Sequence, residues 1–295
     1  MQWLALMLTF AAPASALDGG VLHQPWAALV DGETVLVSNL NGSALARDGN
    51  GFITEFASDG GVLAPRWGAL VMNAPKGLAL VEGKLYVADL DVVRVIDRKA
   101  GAALGEVKVL GGSSIEGLAA YGSRLYLVDS GLRLGADGGV EQSGTDGVYA
   151  IETRGPKPVL KTLVKSRALR NPRSIAVNAN GLYVASSTAP LLFAFDLTGR
   201  PRGEPLELPH VITGGIVIKE SELWVSTTIG LLRGRLSGES WWPVSRRPGG
   251  GAMALDEPGS RLWVPMPSLD ALLEVPWSAK RLPGLQDALP KPGVP

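Results

Sequence analysis

Leu85-Tyr86-Val87-Ala88-Asp89 recurs in close copies along the chain, and this repetition indicates the fold. The six copies begin at Val35, Leu85, Leu125, Leu182, Leu223 and Leu262. Their spacing is roughly 40 to 57 residues, and a period of this size with one aromatic-aliphatic strand per unit is typical of a β-propeller or a solenoid. We interpret the six units as one domain, because such units cannot bury their apolar faces alone.

Each unit has the same internal order, which is clearest in the second. Residues 77–81, 84–89, 92–97 and 106–110 form four short apolar or alternating runs separated by turn residues. Four short antiparallel strands per unit distinguish a propeller blade from a solenoid repeat. The predicted fold class is therefore all-β, a six-bladed β-propeller of four-stranded antiparallel blades. The last unit supplies only three strands, so we expect the N-terminal residues 20–22 to pair into the last blade.

The charge balance is even, with 28 Lys and Arg against 28 Asp and Glu. This composition lacks the basic surface that nucleic acids and anionic membranes attract, so we expect neither as a partner. The chain contains no cysteine, so its stability depends on packing and not on disulfides.

Residues 1–16 have the features of a signal peptide. The apolar run of residues 1–12 is shorter than the roughly 20 residues of a membrane span, and Ala14-Ser15-Ala16 supplies the small-residue cleavage pattern. We expect cleavage after Ala16, a periplasmic or secreted location, and no integral membrane segment in the mature chain. The predicted organisation is a signal peptide (1–16), a propeller (17–280) and a Pro-rich C-terminal tail (281–295).

Two units carry insertions between their second and third strands. The first insertion covers residues 39–51, and the other runs from residue 130 to residue 147. Because equivalent loops of different blades emerge on the same side, we expect both insertions on one face of the disc. Long loops rich in Asp, Gly and Asn on a rigid scaffold commonly carry binding sites. This loop-bearing face, around the central channel, is the predicted binding face.

Alignment of the blades on this face defines two rings of residues around the channel. The residues just ahead of the innermost strands are Trp26, Lys76, Glu116, Arg173, Gly214 and Gly251. The residues that end the second strands are Asn39, Asp89, Asp129, Ser186, Thr227 and Met266. The charged members lie in the first four blades, and the two glycines are expected to leave the opposite sector open.

We predict that a small molecule or protein ligand binds to the polar half of these rings, through Trp26, Asn39, Lys76, Asp89, Glu116, Asp129 and Arg173. In this prediction Lys76 and Arg173 receive anionic or carbonyl oxygens, and changing both to Met abolishes binding with little loss of stability. Two alternatives remain open. The charged residues can form a self-neutralising network that braces the channel, and Asp or Asn at a strand end can serve only to make a turn.

Three stretches resemble blades of a known superfamily: Asn73-Ala74-Pro75-Lys76-Gly77-Leu78-Ala79, Ile115-Glu116-Gly117-Leu118-Ala119 and Asn171-Pro172-Arg173-Ser174-Ile175-Ala176. They look like parts of the six-bladed propellers of the senescence-marker-protein, gluconolactonase and NHL-repeat superfamily. This resemblance implies a divalent cation such as calcium in the channel, and hydrolysis of sugar lactones there. Glu116 and Asp129 match the acidic metal ligands, with Asp89 as an alternative to Asp129. Lys76 and Arg173 stand where the family has asparagines.

Three classes of function remain open, and with them the question of whether the protein is an enzyme. The first is an exported propeller that binds a small molecule or a protein through its loop-bearing face. The second is a lactonase or other hydrolase with a reduced metal site of Glu116, Asp129 and Asn39. The third is an assembly platform that uses the adjacent Trp241 and Trp242, for which packing between blades is the alternative.

Overall fold

The computed structural model describes residues 15–17, 20–155 and 157–278. In these ranges the chain forms six four-stranded antiparallel sheets and one two-stranded hairpin. The sheets are the blades of a β-propeller, so the predicted fold class is confirmed. The described residues include no helix that is long and apolar enough to cross a membrane. The predicted signal peptide and Pro-rich tail lie outside these ranges, apart from Ser15 and Ala16.

The strands follow one another in blade order, apart from the first, β1 (Ser15–Leu17), which belongs to the last blade. The first blade contains β2 (Pro25–Asp31), β3 (Thr34–Asn39), β4 (Gly51–Ala57) and β5 (Val62–Met72). The second contains β6 (Pro75–Val81), β7 (Lys84–Asp89), β8 (Val92–Asp97) and β9 (Ala103–Lys108). The third contains β10 (Ile115–Tyr121), β11 (Arg124–Asp129), the separate hairpin strands β12 (Leu132–Leu134) and β13 (Val140–Gln142), β14 (Gly147–Glu152) and β15 (Val159–Lys165).

The second half of the chain repeats this order. The fourth blade contains β16 (Pro172–Asn178), β17 (Gly181–Ser186), β18 (Leu191–Phe195) and β19 (Leu206–Glu207). The fifth contains β20 (Ile212–Lys219), β21 (Glu222–Thr227), β22 (Gly230–Arg235) and β23 (Trp241–Ser245). The sixth contains β24 (Ala254–Asp256), β25 (Arg261–Met266) and β26 (Ala271–Pro276), with β1 outermost. Two short 3₁₀ helices span Arg167–Leu169 and Pro267–Leu269.

The last blade is completed by an N-terminal strand, as predicted, but by other residues. The sequence predicts residues 20–22 for this position, whereas β1 occupies it, with Ala16 opposite Leu273. Gly20 lies in a turn with a φ of 65°, and Leu22 is buried in a cluster with Trp263 and other residues of the first and last blades. Residues 20–22 therefore turn the chain and fill the core between these blades instead of pairing.

The repeated second strands are buried on both faces, which explains their continuous apolar sequence. In β7, Leu85 and Val87 pack with residues of the first blade, whereas Tyr86 and Ala88 pack with residues of the third. Alternate side chains of a strand point to opposite faces, so one strand fills two cores between blades. Each large apolar side chain buried in this way contributes about 1.5–3 kcal/mol.

The adjacent tryptophans Trp241 and Trp242 both contact other residues of the propeller. Trp241 packs against the apolar cluster shared by the fourth and fifth blades. The ring centroid of Trp242 lies 5.6 Å from the guanidinium carbon of Arg233. These contacts favour packing within the propeller over the assembly platform.

The innermost strands approach one another so closely at the axis that only glycine fits at some positions. A Cβ added to Gly214 would lie 1.7 Å from the carbonyl oxygen of Gly250, and one added to Gly251 would lie 2.1 Å from that of Trp26. Backbone therefore fills the sector that the sequence predicts to be open, and that prediction is wrong. The cavity on the axis measures about 60 Å³, whereas ligand pockets usually measure about 300–1,000 Å³.

Replacing Gly214 with alanine should destabilise the propeller, because the new methyl group overlaps the backbone of the sixth blade. Overpacking costs about 1–3 kcal/mol, which lowers the Tm of a protein of this size by about 2–12 °C. Thermal unfolding followed by circular dichroism measures the change. Gly61→Ala is the matched control, because the nearest atom to its Cβ would be a side-chain oxygen of Asp59 at 3.3 Å. Equal Tm values for the two variants would contradict the close approach.

Candidate functional site

Four residues of the predicted ring share one backbone feature. Trp26, Lys76, Glu116 and Arg173 each lie where the pairing register of an innermost strand shifts. Such a bulge inserts an extra residue and re-aims its side chain. The four side chains meet at one end of the channel, in contacts that cross the blade boundaries.

Lys76 and Glu116 form a buried ion pair between the second and third blades. Lys76 Nζ lies 2.5 Å from Glu116 Oε1 and donates a hydrogen bond to Ser114 Oγ at 2.6 Å. Ser114 Oγ in turn donates to Glu116 Oε1 at 2.8 Å. The side chains of Lys76 and Glu116 are 1% and 5% exposed, so the two charges neutralise each other away from solvent. This pair corresponds to the bracing network that the sequence leaves open.

The indole ring of Trp26 lies against two cationic side chains, those of Arg173 and Lys76. Its ring centroid lies 4.2 Å from the Arg173 guanidinium carbon and 5.6 Å from Lys76 Nζ, distances at which cation–π attraction acts. Burial raises the pKa of Glu116, but the charges of Lys76 and Arg173 outweigh burial and hold that pKa below its ordinary value. The carboxylate therefore stays ionised. Trp26 and Arg173 remain partly exposed, unlike the ion pair beneath them.

The predicted residues at the ends of the second strands hold loops in place. Asp129 accepts hydrogen bonds from three backbone amides and one hydroxyl. Asp89 accepts from two backbone amides and from Arg94. Asn39 accepts from one backbone amide and donates to the hydroxyl of Thr54. All three side chains are buried, which agrees with the turn-making alternative, and ligand binding by them stays a prediction.

Glu116 and Asp129 are the metal ligands that the family resemblance implies, but their surroundings do not suit a hard divalent cation. Glu116 Oε1 already contacts the Lys76 ammonium, and the oxygens of Asp129 already accept four hydrogen bonds from the chain. Calcium takes about six to eight oxygen ligands. The described residues contain no group of three or more acidic or histidine side chains placed to hold a metal ion. This donor set does not fit calcium.

The two insertions meet on one face, as predicted, and enclose a pocket of about 550 Å³ beside the axis. The insertions and the turns below them supply its lining: Leu45, Arg47, Leu90, Asp91, Gly111, Gly112, Ser113, Arg133, Leu134, Ser143 and Thr145. We call this space the loop pocket. Six of these residues belong to the predicted insertions, whereas Leu90, Asp91 and residues 111–113 lie outside them. The run Gly111-Gly112-Ser113-Ser114, ahead of an innermost strand, is the signal that points to them.

Three hydroxyl groups form one wall of the loop pocket. Ser113 Oγ lies 2.9 Å and Ser143 Oγ lies 2.7 Å from Thr145 Oγ1. Ser113 Oγ also donates to the buried Asp129 carboxylate at 3.0 Å. Asp129 therefore links the pocket wall to the ring. It accepts hydrogen bonds from the Ser113 hydroxyl and from the backbone amide of Ser114, two residues before Glu116.

Two arginines line the loop pocket, each paired with a carboxylate, and one of these carboxylates, that of Asp91, lines the pocket as well. Arg47 Nη2 lies 2.6 Å from Asp91 Oδ1, and Arg133 Nη2 lies 3.0 Å from Glu141 Oε2. Both guanidinium groups are exposed, and exposed ion pairs contribute only about 0–1 kcal/mol. An anionic ligand can therefore compete for either arginine at little cost.

Aliphatic side chains extend from the loop pocket onto the surface. Leu134 lines the pocket and pairs in register with Val140 across the hairpin, so the two lie side by side. Val140 is 65% exposed, and Leu110, at the edge of the lining, is 84% exposed. Exposed apolar patches on a folded surface commonly mark interaction sites. The pocket thus combines cationic, hydroxyl and aliphatic surfaces.

Comparisons with known proteins show the fold and no finer relationship. No protein-family model matches the chain, and no curated protein matches its sequence. A gluconolactonase from Xanthomonas campestris is similar in structure, with a TM-score of 0.62 and 18% identity over 93% of this chain and 93% of that chain. A protein of unknown function from Bacteroides thetaiotaomicron has a TM-score of 0.61 and 11% identity over 90% of this chain and 72% of that chain. The chain is a six-bladed β-propeller with a fold-level likeness to a gluconolactonase.

Substitutions of Lys76 and Arg173 should differ in the stability that they cost, because only Lys76 pairs with the buried Glu116 carboxylate. Lys76→Met leaves the buried Glu116 carboxylate unpaired, a change that costs about 3–5 kcal/mol. Arg173→Met removes a guanidinium that lies on Trp26, a contact worth about 0.5–2 kcal/mol, and it leaves Glu116 paired with Lys76. For Lys76, the buried pair argues against the expectation that both changes are tolerated, and this comparison tests it. Urea unfolding of the two variants measures the difference, and equal losses would contradict the buried pair.

Proposed function

We propose that the protein is an exported β-propeller that binds a small molecule in the loop pocket. The observation that carries this proposal is the contrast between two cavities. The loop pocket measures about 550 Å³ and the axial cavity about 60 Å³, and only the first falls in the range of about 300–1,000 Å³ that ligand pockets occupy. Binding on the loop-bearing face, and not inside the channel, therefore agrees best with the geometry.

The lining favours a ligand with an anionic head and an aliphatic part. Arg47 and Arg133 offer charge-assisted hydrogen bonds to a carboxylate or similar head. The hydroxyl wall accepts and donates further hydrogen bonds, while Leu134 and Val140 offer apolar surface beside the head. Trp26 packs against the buried cluster that contains Leu90, and Leu90 also lines the loop pocket, so the pocket and the ring are neighbours.

Decanoate is a suitable probe, because it combines a carboxylate with an aliphatic chain. We expect isothermal titration calorimetry to show that decanoate binds more tightly than butyrate or decanol. Arg133→Met should weaken decanoate binding at least about tenfold, since a hydrogen bond to a charged group contributes about 1.5–3 kcal/mol, and Leu134→Ser should weaken it as well.

Matched controls exist on the same blade. Arg124 pairs with Glu152 at 2.7 Å on a distant part of the third blade, and Val159 is an exposed aliphatic residue of β15. Arg124→Met and Val159→Ser should leave decanoate binding unchanged. Decanoate affinity that is the same in Arg133→Met and in Arg124→Met would contradict the proposed site.

A lactonase is the second candidate, favoured by the structural likeness to the gluconolactonase from Xanthomonas campestris. In that function Glu116 and Asp129 would hold a metal ion, with Asn39 as a third ligand. The Lys76 ammonium beside Glu116 counts against it. Hydrolysis of a sugar lactone, together with stoichiometric metal in elemental analysis of the purified protein, would select this candidate over the binding protein.

Export is proposed from the sequence of residues 1–16. N-terminal sequencing of protein from the extracytoplasmic fraction should begin at Leu17. Strand β1 includes Ser15 and Ala16, so a chain cleaved after Ala16 keeps only one residue of the strand that closes the last blade. A start at Ser15 would preserve β1 and correct the cleavage position, whereas intact Met1 in the cytoplasm would refute export.

A further inference from the structure

The atoms around Lys76 Nζ resemble the oxygen shell of a bound cation. Glu116 Oε1 lies 2.5 Å and Ser114 Oγ lies 2.6 Å from this nitrogen. Ser130 Oγ lies 3.4 Å from the same carboxylate oxygen. Glu116 Oε2 is buried and has no hydrogen-bond partner within the described chain. The Glu116 carboxylate, with one unpartnered oxygen and hydroxyl neighbours, therefore contacts one positive charge, the ammonium of Lys76.

The lysine that supplies this charge is fixed to its neighbours on both sides. Its carbonyl oxygen accepts a hydrogen bond from Ser38 Oγ at 2.7 Å, which ties the bulge of the second blade to the first. Trp26 of the first blade covers the ammonium, and Glu116 of the third blade pairs with it. Lys76 thus joins three blades at the end of the channel where the family resemblance implies a metal ion.

We propose that the Lys76 ammonium is a tethered cation that takes the place of a bound ion, so that this propeller completes its ring without a metal. The ammonium brings one charge and three hydrogen-bond donors at a fixed position, whatever the ion concentration outside. Arg173 adds a second fixed cation, whose charge also lowers the pKa of Glu116. This proposal concerns the ring and is independent of ligand binding in the loop pocket.

Lys76→Ala tests the proposal, because it removes the tethered cation and leaves the oxygens around it. The Tm should fall, and methylammonium chloride should raise it again by at least about 3 °C, since a ligand that binds only the folded state stabilises that state. Tetramethylammonium chloride is the matched salt and should not restore the Tm, because it has no N–H group to donate. Lys84→Ala, at an exposed lysine of β7, should respond to neither salt.

Wild-type protein provides a second measurement. Its Tm should be unchanged by EDTA, and the same in calcium chloride as in sodium chloride of equal ionic strength. A wild-type Tm that rises with calcium, or a folded Lys76→Ala variant that ignores methylammonium, would overturn the proposal. If Lys76→Ala does not fold, the double variant Lys76→Met with Glu116→Gln decides, because it removes both charges of the buried pair. It should fold and be more stable than Lys76→Met alone, and the opposite result would overturn the proposal.

Discussion

The innermost strands approach one another so closely at the axis that their contact determines where side chains can stand in this propeller. Backbone hydrogen bonds of 2.8 Å cross the blade boundaries there, from Gly215 N to Gly251 O and from Ala252 N to Trp26 O. Glycine and alanine stand where the backbones are closest, and together with aliphatic side chains such as Leu78 and Ile175 they leave a cavity of only about 60 Å³. Larger side chains of the same strands appear at one end, where bulges re-aim them.

This constraint decides what the charged ring can do. With the axis closed, Lys76, Glu116 and Arg173 meet one another and Trp26 instead of surrounding an open channel. Removing two charges from water is costly, and a buried pair offsets that cost only when its hydrogen bonds are made. The Ser114 hydroxyl, which contacts both partners, supplies those bonds. Trp26, Lys76 and Glu116, which together have the composition of a binding site, therefore hold the first three blades together.

The sequence predicts the fold well, because each repeated strand is buried between two blades and must repeat the same apolar run. The bounds predicted for the second strand of the second blade, residues 84–89, agree with β7. The ring positions could also be predicted, since the bulges recur at equivalent places. The open sector could not, because glycine can indicate either empty space or contact between backbones. At Gly214 and Gly251 it is contact.

The loop pocket could not be predicted for a different reason. Part of its lining comes from two insertions that have no counterpart in the other blades, so no repeat indicates how they are placed against the turns that complete it. Residues outside the repeat are free of the packing that fixes the second strands and the ring. One wall is nevertheless held by Asp129 through Ser113, while Arg47 and Arg133 form exposed ion pairs. The loop pocket therefore combines a wall fixed by hydrogen bonds with charged side chains that can exchange partners, and the closed axis has neither.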